Sequence, residues 1–258
     1  IYNKKSSIFH DKILRGFGII YPVSIIPILF FGNQTITFFD YFFLLTLVSL
    51  GFLDDKYNLN YKFKIIFFFI ISLIYNYVLM FQVDSPVLFY FFINVFFLIF
   101  LILFFNQIDG INGLAVITFM VSFFFISLLN GSLINFFPII FIFIPYLYFN
   151  LKGNVGIQGD SGSYFLAGIF FIHLDKKFET LDHLFSILMF CPVLLDLIAT
   201  TFVKIYLKNN IFKGHKDNLY QILAQYNNNH LLSTMTFTVF QIILCSIVFY
   251  LFIDFNLS

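Results

Sequence analysis

Long stretches of this chain carry no charged side chain. Charge-free runs fill 16–39, 65–83, 85–108 and 110–151. A helix that crosses a bilayer needs about 20 mostly apolar residues. The last run has room for two such helices, and NGSLIN (130–135) supplies turn-forming residues between them. The pattern predicts helices over 16–32, 36–53, 64–82, 86–106, 112–130, 134–149, 162–174, 183–205 and 231–253, nine spans in all. The seventh is the shortest. No internal repeat and no linker divides the chain, so a single membrane-embedded domain over 1–258 is expected.

Composition agrees with that pattern. The chain has 258 residues, of which 60% are hydrophobic and 10% charged, whereas a soluble domain carries about 25% charged residues. It lacks the polar surface to cover a water-soluble globule. The expected fold class is therefore all-α, a polytopic integral membrane helical bundle. No basic segment followed by a cleavage site marks a signal peptide. Cys191 and Cys245 lie inside apolar runs and read as small core residues rather than as a disulfide. The net charge of +1 favours no class of partner.

The placement of Lys and Arg adds orientation. With nine spans, one side of the membrane receives 1–15, 54–64, 106–113, 150–161 and 204–230. Of the 14 Lys and Arg, only Lys176 and Lys177 fall on the other side. Basic loops mark the cytoplasmic face, so the N-terminal segment is expected inside and the C-terminus outside. Were the seventh segment not to span, Lys204, Lys208, Lys213 and Lys216 would move outside and the bias would weaken.

Four polar interruptions share that cytoplasmic side: GFLDDKYNLNYKFK (51–64), NQIDGINGLA (106–115), NLKGNVGIQGDSGS (150–163) and FKGHKDNLYQIL (212–223). Each has an ordinary reading. Asp54-Asp55 suits a solvated helix end. Asp-Gly and Asn-Gly form turns, because Gly accepts positive φ and Asx side chains cap nearby amides. In Gly-Asp-Ser-Gly, the side chain of Asp160 or Ser161 suits a helix N-cap. Lys62 and Lys64 serve as topology signals, and a lone His215 is an ordinary surface histidine.

Together the four loops carry more information. Carboxylates and amide oxygens converge on one membrane face beside Lys and His. Such a set holds a hard cation and polyanionic phosphates. Mg²⁺ takes oxygen ligands, usually one or two carboxylates plus substrate phosphate. Lysines neutralise phosphate charge, and a helix beginning at Gly-Asp-Ser-Gly turns its positive dipole end toward an anion. Phosphoryl transfer needs mostly positioning and charge stabilisation.

These loops resemble those of the polyprenyl-phosphate N-acetylhexosamine-1-phosphate transferases, bacterial membrane enzymes of glycosyltransferase family 4. GFLDDKYNLNYKFK looks like that family's G-F-x-D-D segment with its basic residues. NQIDGINGLA looks like N-x-x-D-G-x-D/N-G-L-A, and GDSGSYFLAG like G-D-S-G-S-x-F-L-G. Asn150, ten residues before Asp160, matches an Asn of the family. GHKDNLYQIL resembles H-R-x-H-L-Y-Q-R-L, and SSIFHDKILRGFGII (6–20) resembles a Ser-Ser segment ahead of a span. The resemblance runs through nearly the whole chain in order. Relatives have ten or eleven spans, the first ahead of the Ser-Ser segment. The sequence is thus expected to be N-terminally incomplete.

The resemblance implies a reaction. A lipid phosphate attacks the β-phosphorus of a UDP-N-acetylhexosamine, UMP leaves, and the lipid diphosphate sugar starts a cell-envelope glycan. It implies Mg²⁺, with Mn²⁺ as the alternative ion. Asp160 and Asn106 would serve the metal. Asp54, Asp55 and His215 would be catalytic, and Asp109, Asn150, Lys62 and Arg15 would bind substrate. The expected partners are the UDP-sugar, undecaprenyl or another polyprenyl phosphate, the membrane and a second copy in a homodimer, with no nucleic acid. The expected location is the bacterial inner membrane, with the site facing the cytoplasm.

Some positions depart from the family. Asn218 replaces the second His of H-R-x-H, and Phe17 replaces a Gly near Arg15. Ile157-Gln158 stand for Phe-Met, and Val155 stands where a basic residue is common. The Leu-Tyr-Gln ending leans toward O-antigen or capsule initiators.

Asp196 lies inside the eighth predicted span. A carboxylate at the bilayer centre costs at least about 2.5 kcal/mol on insertion scales. It is either a functional residue or a helix–helix hydrogen bond, with equal weight. Two other function classes compete. A transporter would use Asp196 and the clustered carboxylates, but would bind its substrate at the midplane. An intramembrane serine protease would use Ser161 of Gly-Asp-Ser-Gly and would need a nearby His.

Overall fold

The structure is a computed structural model that describes residues 14–31, 36–81, 88–129, 133–153, 156–174, 180–208 and 217–257. A short strand β1 (Leu14–Arg15) leads through a 3-10 turn (Phe17–Ile20) into α1 (Tyr21–Phe31). Then follow α2 (Phe38–Tyr57), α3 (Tyr61–Met80), α4 (Leu88–Ile108), α5 (Leu114–Leu129) and α6 (Leu133–Gly153). Strand β2 (Gly156–Ile157) precedes α7 (Gly159–His173), α8 (Thr180–Met189), α9 (Cys191–Tyr206), α10 (Leu219–Tyr226) and α11 (His230–Leu257). The fold is all-α apart from the two strands, and each predicted span is mostly helical where described.

By length and composition, three of the described helices suffice to cross a membrane: Tyr61–Met80, Leu88–Ile108 and His230–Phe252. The apolar segments Phe17–Ile26, Leu114–Leu129 and Phe137–Leu151 are shorter.

Local chemistry sets several boundaries. At the start of α2, Thr37 Oγ1 accepts from Asp40 N at 3.2 Å and Asp40 Oδ2 accepts from Thr37 N at 2.9 Å. This reciprocal cap satisfies two of the free N–H groups of the first turn. Asn60 caps α3, accepting from Lys62 N at 3.0 Å. The predicted span 183–205 is in fact two helices, α8 and α9, broken at Phe190. Pro192 explains the break: it lacks an N–H and disfavours helical geometry in the residue before it. The carbonyl of Met189 accepts instead from Gln241 Nε2 at 3.3 Å and Cys245 Sγ at 3.5 Å. Both cysteines are free thiols.

The core is built around α7. Every residue from Gly159 to Ile172 is buried, and its most extensive packing is against α2 and α4. Phenylalanines fill the space between the helices. The Phe170 and Phe190 rings lie 5.0 Å apart, and Phe105 meets Phe190 edge-on at 5.6 Å. Such pairs add about 0.5–1.5 kcal/mol each beyond area burial. Large apolar side chains also face outward, among them Phe42, Ile66, Phe96, Phe141 and Phe240. Water would penalise that surface and lipid would not.

β1 and β2 pair in parallel, Leu14 opposite Gly156 and Arg15 opposite Ile157. Gly18 N continues the contact by donating to Gln158 O at 3.0 Å. This ladder ties the chain ahead of α1 to the segment that enters α7.

Candidate active site

α2 runs one turn past the predicted span, so Asp54 and Asp55 lie on its last turn rather than in a loop. Asn58 ends the helix with a left-handed backbone, φ 51°, and its N–H donates to Asp54 O at 2.8 Å. The Asp54 carboxylate is 3% exposed. Its Oδ1 accepts from Leu59 N at 2.9 Å, and its Oδ2 accepts from Lys64 Nζ at 2.7 Å and Tyr164 Oη at 3.2 Å. Asp160 also hydrogen-bonds to it. Burial pushes the Asp54 carboxyl up. The hydrogen bond from Asp160, the Lys64 ammonium and the Leu59 N–H outweigh that and hold it below the usual carboxylate range. Asp54 is thus held in its ionised form.

Asp55 performs a different task. Its Oδ1 accepts from Asp160 N at 3.1 Å, and its Oδ2 accepts from Ser161 N and Ser161 Oγ, both at 3.3 Å. It therefore caps α7 from another helix. In the ordinary reading of Gly-Asp-Ser-Gly, Asp160 or Ser161 would be the capping acceptor; here both instead donate their backbone N–H groups to Asp55. The residue preceding Asp160 must be Gly. Gly159 has φ +70°, and a Cβ there would fall 2.4 Å from Asp55 Oδ2. Three buried carboxylates thus meet where the α7 dipole is positive, which favours their negative charge.

The turn after α4 forms a second group. Asn106 is half-buried on the last turn of α4, and Asp109 is half-buried in the turn itself. Asn112 N donates to His230 Nδ1 at 3.2 Å, Asn112 Nδ2 to Asn150 O at 3.0 Å, and Thr234 Oγ1 to Asn112 O at 2.8 Å. Asn150 Nδ2 donates to Gly156 O at 2.8 Å. Asn150 Oδ1 is buried without a hydrogen-bond partner. A buried acceptor left open in this way is costly unless a ligand or water completes it.

The other predicted residues are placed as follows. The backbone of Arg15 pairs with Ile157, and neighbouring Gly16 would bring a Cβ within 3.8 Å of Asp55 Oδ2. Lys62 is exposed on α3, and it is Lys64 that reaches Asp54. His215 lies outside the described residues. Lys64 and Tyr164 were not singled out as site residues. Tyr164 was findable, because it stands four positions after Asp160 and shares its helix face. Ser161 Oγ lies against Asp55 and Gln158 O, neither of which is the base that a serine nucleophile needs.

A hard divalent cation fits the Asp54–Asp160 pair. Two carboxyl groups within hydrogen-bonding reach of each other can take a cation between them. Among the described residues no group of three or more His, Cys, Asp or Glu is placed to hold a metal ion. An ion held here would draw the rest of its shell from water and substrate phosphate, as Mg²⁺ commonly does.

Comparison with protein families decides the class. The model for Glycosyl transferase family 4 matches residues 38–174, more than half of the chain. The chain belongs to glycosyl transferase family 4. No curated protein matches it. As a family 4 member it is a membrane-integral glycosyl-1-phosphate transferase, using a sugar nucleotide and a lipid-phosphate acceptor. The family 4 match contains Asp54, Asp55, Lys64, Asp109, Asn150 and Asp160; Arg15 and His215 fall outside it.

Proposed function

We propose that the chain transfers N-acetylhexosamine 1-phosphate from a UDP-sugar to undecaprenyl or another polyprenyl phosphate, releasing UMP on the cytoplasmic face of a bacterial inner membrane. The observation that carries this reading is the buried Asp54–Asp160 pair beside Lys64 at the start of α7. The oxygen of the lipid phosphate forms a bond to the β-phosphorus, and the bond from that phosphorus to the bridging oxygen breaks. The electron pair stays with UMP. A phosphate monoester has its second pKa near 6, so the attacking oxygen needs little help from a base.

The residues then divide the work. Asp54 and Asp160 would hold Mg²⁺, which would offset diphosphate charge. Asp55 fixes the start of α7 and so the position of Asp160. Lys64 balances the carboxylates and meets phosphate. Asn150 Oδ1 offers an open acceptor to a donor on the UDP-sugar. Asp109 and Asn106 line the same side from the end of α4. Arg15, Lys62 and His215 supply further positive charge to the phosphates.

The lipid acceptor is supported by an apolar groove of about 490 Å³ between α4 and α9. Phe96, Phe100, Phe104, Leu197 and Phe202 line it, and Gln107 stands at its polar end beside the 109–113 turn. An isoprenoid tail would lie on this wall with its phosphate directed at the loops.

The test is direct transfer in membranes containing the full-length protein. Each UDP-N-acetylhexosamine, labelled in the sugar, is incubated with undecaprenyl phosphate and Mg²⁺. Labelled lipid and UMP should form and should disappear with EDTA. No lipid product from any of these donors would overturn the reading.

A further inference from the structure

Asp196 is not used in the transfer chemistry above, and its carboxylate is fully engaged elsewhere. Its Oδ1 accepts from Leu219 N at 2.9 Å and its Oδ2 accepts from Tyr220 N at 3.3 Å. These are the first two residues of α10, an eight-residue helix whose own N-cap, Asn218, makes no side-chain cap bond. So short a helix cannot hold itself in water, where isolated helices need about 12–15 residues even in favourable sequences. Asp196 supplies from α9 the acceptors that α10 lacks.

What α10 carries explains why this matters. Tyr220 is buried, and its hydroxyl donates to Gln107 O at 3.0 Å while accepting from Asn218 Nδ2 at 2.7 Å. Burial pushes that hydroxyl well up, partly offset by the Asn218 hydrogen bond, with the charges of Asp196 and Asp109 adding to the rise. Tyr220 thus stays protonated and able to donate. Gln221, the next residue, meets the 109–113 turn. A Cβ on Gly110 would sit 2.3 Å from Gln221 Nε2. Ser233 Oγ donates to Tyr220 O at 2.6 Å and ties the same helix to α11.

The contacts close a ring. α9 forms one wall of the apolar groove through Leu194, Leu197 and Thr201, and Asp196 projects from the same turns toward α10. Through Tyr220, α10 reaches Gln107, which belongs to the opposite wall. We infer that Asp196 is a positioning residue, which clamps α10 across the polar end of the groove and so holds the 106–113 segment against the phosphate end of the acceptor lipid. The inference rests on the transferase reading for its effect on rate, while the clamp itself is structural. It also accounts for a departure from the family: Asn218 occupies a histidine position and here orients the Tyr220 hydroxyl.

Two variants and two readouts test this. Asp196→Leu removes both acceptor oxygens, and Asp196→Asn keeps one. In lipid nanodiscs, hydrogen exchange of peptides covering 106–113 and 217–226 should quicken at least tenfold in Asp196→Leu and less than threefold in Asp196→Asn. Unchanged exchange in Asp196→Leu would overturn the clamp. In the transfer assay, kcat/KM for undecaprenyl phosphate should fall at least tenfold in Asp196→Leu, and Asp196→Asn should recover to within threefold of the unaltered protein. If Asp196→Asn is as inactive as a site carboxylate variant, the charge itself acts and the positioning role is wrong. Should Asp196→Leu fail to insert, Asp196→Asn and Tyr220→Phe carry the same comparison. If the unaltered protein shows no transfer, the functional reading fails and the exchange arm still decides the clamp.

Discussion

Two helices in this molecule begin in the same way and differ in everything around them. α7 and α10 each have their first N–H groups accepted by an aspartate from another helix, Asp55 in one case and Asp196 in the other. At α7 the acceptor is 3% exposed and two further carboxylates, Asp54 and Asp160, lie beside it. At α10 the acceptor is half-buried, and its carboxylate takes the backbone N–H groups of Leu219 and Tyr220. A hydrogen bond gains strength where water is excluded, and an unpaired charge costs more there. The deep cap therefore sits among groups that must be neutralised by a cation or proton, while the shallow cap only has to hold a helix in place. An aspartate in a conspicuous motif is accordingly not a ligand by virtue of the motif.

The strongest way to break this contrast is to remove the charge at α7. Asp160→Asn should lower transfer by more than about 1,000-fold, the upper range for losing one charge-stabilising group. Membrane insertion should persist, checked by protease accessibility of the loops. Asp160→Asn with near-normal transfer would mean that the chemistry lies elsewhere. Asp55→Asn comes next, because it weakens both the cap and the charge. Transfer should fall about 100-fold, and stability by about 1–2 kcal/mol, as for a lost helix cap. A circular-dichroism melt separates the two effects. Lost stability with retained transfer would make Asp55 a cap like Asp196 and nothing more.

That contrast was only partly legible in the chain. The apolar runs announced the helices, because each is long enough to be read without knowing its neighbours. The four loops announced the side on which chemistry sits. The helical phase of single residues was hidden. Lys62 and Lys64 look alike in sequence, but the Asn60 cap starts α3 at Tyr61 and leaves Lys64 facing Asp54. The eighth span looked continuous because Phe190 and Cys191 are as apolar as their surroundings, although Pro192 was there to be weighed. α10 is eight residues inside a polar loop, too short for a periodicity to stand out, and its stability comes from Asp196, which is distant in sequence. The two-residue β1–β2 ladder has no pattern at all and exists because α7 brings Gly156 beside Leu14.

Two smaller effects sharpen the comparison. Lys64→Met and Lys62→Met test which cation serves the α7 region. Lys64→Met strips the 2.7 Å partner from Asp54 and should cut transfer about 10- to 100-fold, since a buried carboxylate left unpaired is penalised heavily. Lys62→Met should cost no more than about threefold, the modest effect of an exposed charge that reaches phosphate from solvent. Equal losses would show that the Asp54 contact gives Lys64 no larger part than Lys62.

A comparably small effect belongs to the α11 side. Thr234 Oγ1 donates to Asn112 O at 2.8 Å, and His230 Nδ1 accepts from Asn112 N at 3.2 Å. Asn112 is thus held from α11 through both its N–H and its C=O and, through its side chain, by Asn150 O. Thr234→Val keeps the shape and removes one of these three contacts. A single neutral hydrogen bond contributes about 0.5–1.5 kcal/mol, so stability should drop by about 1 kcal/mol. Transfer should fall by no more than about fivefold, because the two remaining contacts keep the turn in place. Measured beside Asp55→Asn, this variant asks whether the 106–113 turn is scaffold or chemistry. A loss as large as that of Asp55→Asn would put Asn112 and Asp109 among the groups that touch the reacting phosphates.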